Sequence, residues 1–99
     1  MTDERRTDER IAVNLPVRWD DGSGLHEDRI KDISLGGCFV NSRSQVDIAE
    51  VITLEIKMPD GEWLLLRGEV ASYRPMIGFG LLFTFLTDDE EFALRQLIY

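Results

Sequence analysis

The sequence has little of what enzymes and metal proteins use in their sites. Its 99 residues include one cysteine, Cys38, and one histidine, His26. A single cysteine excludes an internal disulfide, and one cysteine with one histidine leaves a metal site short of ligands. No spacing suggests a nucleophile with its base and orienting residue, and His26 is expected to be an exposed spacer near a turn. We therefore predict a protein that is not an enzyme and has no metal and no cofactor.

Long apolar segments are also missing. The longest nearly apolar run, residues 76–86, is too short for a membrane-spanning helix, which needs about 20 residues. The first ten residues, MTDERRTDER, are charged throughout and do not resemble a secretory signal. The sequence therefore predicts a cytoplasmic chain without membrane insertion, long enough for one domain with a real core.

Positive charge is scarce, because 11 lysines and arginines stand against 19 acidic residues and give a net charge of −8. Such a surface repels nucleic acid polymers and anionic lipid at long range, so we exclude a general nucleic-acid binder. An anionic ligand would need a local group of cations. The densest group is Arg5, Arg6 and Arg10, in the first ten residues.

Alternation of apolar and polar residues predicts strands along most of the chain. It is clearest in residues 11–20, and further strands are predicted near residues 25–33, 38–41, 52–58, 62–73 and 76–85. The last of these strands is expected to carry five apolar residues on one face: Ile77, Phe79, Leu81, Phe83 and Phe85.

The hydrophobic period changes near the C-terminus. Thr87 with Glu90 three residues later is a capping-box signature. Apolar residues then follow at helical spacing, which predicts a helix over residues 88–98. Six strands with mostly hairpin connections and one helix are typical of a small barrel or sandwich with a helix on its rim.

Two short motifs supply candidate site residues. Arg6 and Arg10 form RxxxR, and guanidinium groups donate paired hydrogen bonds to phosphate and to the acceptor edge of guanine. Asp32 and Ser34 lie two residues apart, so a strand would present both on one face, where they could bond guanine donors or a phosphate. Gly37 has no side chain and would let a ligand approach the backbone.

Each motif alone has a plainer interpretation. The arginines fit a solvated, charged tail. Asp32 and Ser34 fit the cap of a turn in which Gly36 and Gly37 supply positive φ.

Together, RxxxR and the segment DISLGG about twenty residues later resemble the signature of the PilZ domain family. The resemblance extends over essentially the whole chain and includes the segments NLPVRW, GCFV and GFGLLF and the final helix. It implies a mainly β fold, a six-stranded antiparallel PilZ-type β-barrel over residues 11–99 that ends in the short helix at residues 88–98. Residues 1–10 would form a flexible N-terminal arm that carries RxxxR.

The resemblance also implies a function, because PilZ domains bind the bacterial second messenger cyclic di-GMP. The chain is expected to be a receptor that changes its surface and arm conformation on binding. It would thereby regulate an unidentified protein effector in motility, biofilm or exopolysaccharide control. By position, Arg6 and Arg10 would grip phosphate and guanine, Asp32 and Ser34 would bind from the barrel, and Gly37 would leave room for the ligand.

Three further residues are secondary ligand candidates: Arg5, Gly36 and Trp63. In the family, an arginine at the place of Arg5 accompanies capture of an intercalated ligand dimer, so we predict two ligand molecules per chain. The alternative function is a ligand-independent PilZ-like adaptor that docks on a pilus, flagellar or synthase partner. A phosphodiesterase is disfavoured by the lack of a metal cluster or second histidine.

Overall fold

The computed structural model describes residues 9–99, which form a closed barrel of six antiparallel strands followed by one helix. The order around the barrel is β1-β2-β3-β6-β5-β4, and β4 closes onto β1. The elements are β1 (Ile11–Asp20), β2 (Leu25–Ile33), β3 (Gly37–Asn41), β4 (Val51–Lys57), β5 (Trp63–Arg74), β6 (Gly78–Phe83) and α1 (Asp88–Ile98). The predicted mainly β fold with a short C-terminal helix is confirmed.

The alternating residues of the strands fill the barrel interior. In β1, Val17 and Trp19 are each 1% exposed, and the indole of Trp19 meets the ring of Phe79 edge-on at 5.0 Å between centroids. Every strand contributes at least one fully buried apolar residue. Because successive side chains of a strand point to opposite faces of the sheet, the polar residues that alternate with these apolar residues form the outer surface.

Helix α1 closes one part of the barrel through Leu94, which is fully buried. The predicted capping box is present, because the Thr87 side chain accepts from the Glu90 amide and the Glu90 carboxylate accepts from the Thr87 amide. Arg67 of β5 donates to the Glu90 carboxylate at 2.9 Å and so joins the helix to the sheet. Within residues 9–99, no helix has the length and apolarity needed to cross a membrane.

The predicted sixth strand is too long at both ends. Strand β6 covers Gly78–Phe83, and the flanking Ile77 and Phe85 are 55% and 86% exposed rather than on the core face. Met76 and Phe85 have φ values of 67° and 53°, in the left-handed region that no strand accommodates. These two residues turn the chain and end the alternation that the sequence pattern suggests.

Bulges interrupt the strand pairing at three places. The register shifts lie between Ala12 and Leu15, between Ile30 and Asp32, and between Val70 and Ser72. An extra residue in one strand changes which face the following side chains occupy. The shift in β2 decides where a predicted site residue points.

Candidate ligand-binding face

Arg10 and Asp32, one from each predicted motif, meet on the outside of the barrel. Arg10 Nη1 donates to Asp32 Oδ1 at 2.6 Å, and the two side chains are 47% and 34% exposed. Arg10 directly precedes β1, and Asp32 in β2 is the pairing partner of Ala12. An ion pair this open to water contributes little to folding, so both groups are free to exchange partners.

The bulge in β2 turns Asp32 to the outer surface. Ile30 is fully buried, and strict alternation from it would point Asp32 into the barrel. Lys31 is the extra residue, since Asp32 rather than Lys31 continues the pairing with β3, opposite Phe39. Ile33 then returns to the core with no exposed surface. In the sequence, the bulge corresponds to the imperfect alternation of apolar and polar residues in this segment.

Ser34 does not share a strand face with Asp32, contrary to the prediction. It follows the end of β2, is 3% exposed, and its amide donates to the carbonyl of Gly37 at 2.8 Å. Its Oγ accepts from the amides of Gly36 and Gly37 at 3.1 and 3.2 Å. A serine after a strand bonds the backbone of its own turn in this way. The hydroxyl therefore stabilises the turn that follows Asp32.

Gly37 faces the neighbouring strand and not an open space. A Cβ at this position would lie 2.0 Å from the carbonyl oxygen of Leu81 in β6. The missing side chain therefore allows β3 and β6 to pair, which corrects the expected reason for the glycine. Neither Gly36 nor Gly37 has positive φ, so that part of the turn interpretation is also wrong.

Trp63 lies far from Asp32 along the barrel. The guanidinium carbon of Arg18 is 3.7 Å from the centre of its ring, and Arg18 also pairs with Glu55 at 3.2 Å. Arg18 stands opposite Glu27, five residues before Asp32 in β2, which is roughly 17 Å along a strand. The structure does not bring Trp63 together with Arg10 or Asp32.

Arg5 and Arg6 lie outside the described residues. Their predicted ligand contacts and the stoichiometry of two ligands per chain therefore stay predictions. Arg10 fixes where the N-terminal segment joins the barrel, which is beside Asp32.

Cys38 and His26 are packing residues. Burial, with a smaller contribution from the nearby Asp32 carboxylate, raises the pKa of the Cys38 thiol to about 12, so the reactive thiolate is not populated at neutral pH. The ring of His26 stacks on Trp19 at 4.1 Å between centroids, which corrects its expected role as an exposed spacer. Between residues 9 and 99, no three His, Cys, Asp or Glu side chains are grouped to hold a metal ion.

Comparison with solved structures supports the fold. The chain is similar to the PilZ domain of CeSA from a cellulose synthesizing bacterium, at 23% identity and a TM-score of 0.71, over 91% of this chain and 94% of that one. It is similar to YcgR from Escherichia coli in complex with c-di-GMP, at 15% identity and a TM-score of 0.76. It is also similar to PlzA from Borreliella burgdorferi in complex with c-di-GMP, at 17% identity and a TM-score of 0.72.

The alignments with YcgR and PlzA cover 91% and 92% of this chain but 42% and 40% of those proteins. The chain therefore spans less than half the length of these two neighbours. No curated protein matches the sequence. The family model described as the PilZ domain matches residues 4–99, nearly the whole chain. The chain belongs to the PilZ domain family.

Proposed function

We propose that this PilZ domain is a receptor for cyclic di-GMP, bound between the N-terminal segment and the outer surface of the barrel. The contact between Arg10 and Asp32 carries the proposal, because it joins the two motifs at one exposed place. The fold is shared with YcgR and PlzA, whose structures are complexes with this ligand.

Ligand binding would exchange the partners of this ion pair. The Asp32 carboxylate offers two acceptor oxygens to the N1–H and amino group of guanine. Arg10, released from Asp32, would turn to a phosphate or to the acceptor edge of a guanine. The exposed ion pair is worth about 0–1 kcal/mol, whereas each hydrogen bond to a charged group is worth about 1.5–3 kcal/mol. The exchange is therefore favourable.

Arg6 would supply the second guanidinium of the site. Ordering the backbone that carries it costs about 1–2 kcal/mol per residue. The hydrogen bonds of both arginines to the ligand are needed to exceed this cost, and those of one arginine are not enough. Ser34 and Gly37 would act mainly by shaping the turn after Asp32, since the Ser34 hydroxyl already bonds that turn. The direct ligand contacts predicted for these two residues would require the turn to open.

The position of Arg10 and Asp32 on the outer surface supports the regulatory part of the proposal. A ligand held between the N-terminal segment and the barrel would change the shape and charge of the surface around Arg10. A protein effector in motility, biofilm or exopolysaccharide control would respond to that change. Two ligand molecules per chain, with Arg5 contacting the second, remain part of the proposal.

The test is isothermal titration of the purified full chain with cyclic di-GMP. We expect Arg10→Ala to weaken binding about a hundredfold, because two charge-assisted hydrogen bonds are lost, and Arg6→Ala to do the same. Arg18→Ala is the matched control, since Arg18 is also an ion-paired arginine on the barrel surface, with 34% of its side chain exposed against 47% for Arg10. It should bind within about threefold of the original chain.

The outcomes separate the candidate functions. Normal binding by Arg10→Ala would contradict the proposed site, and saturation at one ligand per chain would remove the role proposed for Arg5. A chain that binds no cyclic di-GMP would instead favour the ligand-independent adaptor. Chromatography of the nucleotide after the titration would detect hydrolysis, which the receptor function excludes.

A further inference from the structure

A row of paired residues crosses the outer face of the barrel from Asp32. Asp32 lies opposite Phe39 in β3, Phe39 opposite Gly80 in β6, and Gly80 opposite Ser72 in β5. Strands lie about 4.8 Å apart, so the row is roughly 14 Å long. It begins where Arg10 contacts Asp32, and it therefore extends the proposed site over the sheet.

The ring of Phe39 lies on this outer face. Its neighbours Cys38 and Val40 are fully buried, so alternation directs Phe39 outward. A Cβ on Gly78 would lie 2.8 Å from Phe39 Cε2, and a Cβ on Gly80 would lie 4.0 Å from Cδ1. The ring thus occupies the place where a side chain at Gly78 would otherwise stand, whereas at Gly80 that place is taken by the Ser72 hydroxyl at 2.6 Å. Gly78 allows the aromatic ring to rest close against the sheet.

The bulge in β2 sets two opposite charges beside this ring. Because Lys31 is the extra residue, both Lys31 and Asp32 face Phe39 across the pairing of β2 with β3. Lys31 is exposed and has no carboxylate within ion-pair distance among residues 9–99. The pairing therefore places a cation and an anion next to each other on the strand that borders this ring.

The bulge in β5 places small side chains at the end of the row that lies away from Asp32. Ala71 is the extra residue there, so Ala71 and Ser72 both stand opposite Gly80. Both are exposed and small. The Ser72 hydroxyl lies 2.6 Å from where a Cβ on Gly80 would stand, so a flat group lying on Phe39 would meet this hydroxyl, and no large side chain, at the β5 side of the row.

We propose that Phe39 is the platform on which one guanine of cyclic di-GMP stacks, with Asp32 binding the edge of that base and Lys31 binding a phosphate. The inference rests on the proposed function and names further residues of its site. A carboxylate can bond the donor edge of guanine only if something holds the base in reach, and the aromatic ring directly opposite Asp32 does so. Lys31 offsets the repulsion between the Asp32 carboxylate and the anionic ligand.

The two contacts divide affinity and specificity between them. Stacking on an aromatic ring tolerates any base, because every base has a π-face. The edge contact discriminates, because adenine offers an acceptor at N1 where guanine has a donor. Replacing Phe39 should therefore weaken the binding of cyclic di-GMP and of cyclic di-AMP alike, whereas Asp32→Asn should mainly reduce the preference for guanine over adenine.

The experiment compares two phenylalanines by isothermal titration with cyclic di-GMP. Phe39→Leu should weaken binding roughly tenfold, and Phe39→Tyr, which keeps the ring, should restore it. Phe92→Leu is the matched control, because Phe92 is 64% exposed on α1 and away from the row. Lys31→Ala should weaken binding several-fold. Lys57→Ala is its control and should not change binding, because the ammonium group of Lys57 lies over Trp63 and away from the row.

A second measurement keeps the proposal falsifiable if Phe39→Leu folds poorly. In the saturated complex of the unmodified chain, nuclear Overhauser contacts are expected between the guanine H8 proton and the Phe39 ring. If the unmodified chain binds no cyclic di-GMP, the proposed function fails and this inference with it. If it binds but shows no such contacts, or if Phe39→Leu and Phe92→Leu bind equally, the stacking platform alone is overturned.

Discussion

The two ends of the β1–β2 hairpin carry the same kinds of residue in different circumstances. At the turn end, Arg18 lies over Trp63 at 3.7 Å and pairs with Glu55 at 3.2 Å. At the open end, Arg10 makes one ion pair within residues 9–99, with Asp32, and 47% of its side chain is exposed. Arg18 is held by packing and charge together, whereas the described contact of Arg10 is an ion pair open to water.

The polar groups of the turn end are also bonded to one another. Asp20 accepts from the amide of Gly22, and Asp21 accepts from both the amide and the hydroxyl of Ser23. The hydrogen bond from the Ser23 hydroxyl and, to a smaller extent, the one from the Ser23 amide lower the pKa of Asp21 below its usual range. Trp19 stabilises this end by stacking on the ring of a half-buried histidine.

The comparison shows why residue type alone does not identify a binding site. Arginine beside a carboxylate occurs at both ends, and an aromatic ring lies near both. What distinguishes the open end is hydrogen-bonding capacity that remains accessible, because a bulge directs Asp32 outward and, within residues 9–99, the cation–π contacts involve Arg18 and Lys57 and not Arg10. The difference between the ends can be tested through matched substitutions.

The largest effect on stability is expected for Gly37→Ala compared with Gly22→Ala. A Cβ on Gly37 would lie 2.0 Å from a backbone oxygen of β6, so strands must shift, at a cost of about 3 kcal/mol. Gly22 has open space around it and a φ of 97°, so alanine there costs about 1 kcal/mol of backbone strain. Urea unfolding monitored by circular dichroism measures both.

Equal losses for the two alanines would mean that the β3–β6 contact relaxes easily. In that case Gly37 would no longer be explained by strand pairing, and the expectation that it leaves room for a ligand would regain support.

The fold was predictable because the strands alternate and the helix carries its own cap. The interior of β1 follows from its period of two, and α1 begins where Thr87 and Glu90 predict it. Each of these signals is local, because it depends on spacing within one element.

The site was less predictable because its geometry depends on pairing between strands. The outward direction of Asp32 comes from a register shift against β3, and the floor under Phe39 comes from glycines in β6. The imperfect alternation of β2 indicates an irregularity, but it does not say which residue is extra or which strand lies opposite. Trp63 was a reasonable candidate by type, but its neighbour across the sheet is Arg18.

An intermediate effect is expected for Ser34→Ala compared with Ser23→Ala. The Ser34 hydroxyl is buried and accepts from two amides, and the buried amide of Gly37 would lose this partner at a cost of about 1–3 kcal/mol, whereas water can reach the exposed Gly36. Ser23 is exposed at the other end of the hairpin, where water replaces its hydroxyl, so the cost should stay below about 0.5 kcal/mol. Thermal unfolding of both variants measures the difference, and a Ser34→Ala variant as stable as Ser23→Ala would contradict the structural role of the turn.

The smallest effect on stability is expected for the two arginines. Arg18→Ala should destabilise the fold more than Arg10→Ala, whereas Arg10→Ala is expected to weaken ligand binding more. Arg18→Ala should lower the free energy of unfolding by about 1 kcal/mol, since it loses a cation–π contact and an exposed ion pair. The loss stays small because Arg18 Nε is buried without a hydrogen-bond partner, and its removal relieves that cost. Arg10→Ala should change stability by less than about 0.5 kcal/mol, because its ion pair is open to water. Chemical unfolding without ligand measures both. If Arg10→Ala proved the more destabilising variant, Arg10 would be a structural residue, and any loss of ligand binding by this variant could no longer be assigned to a direct contact.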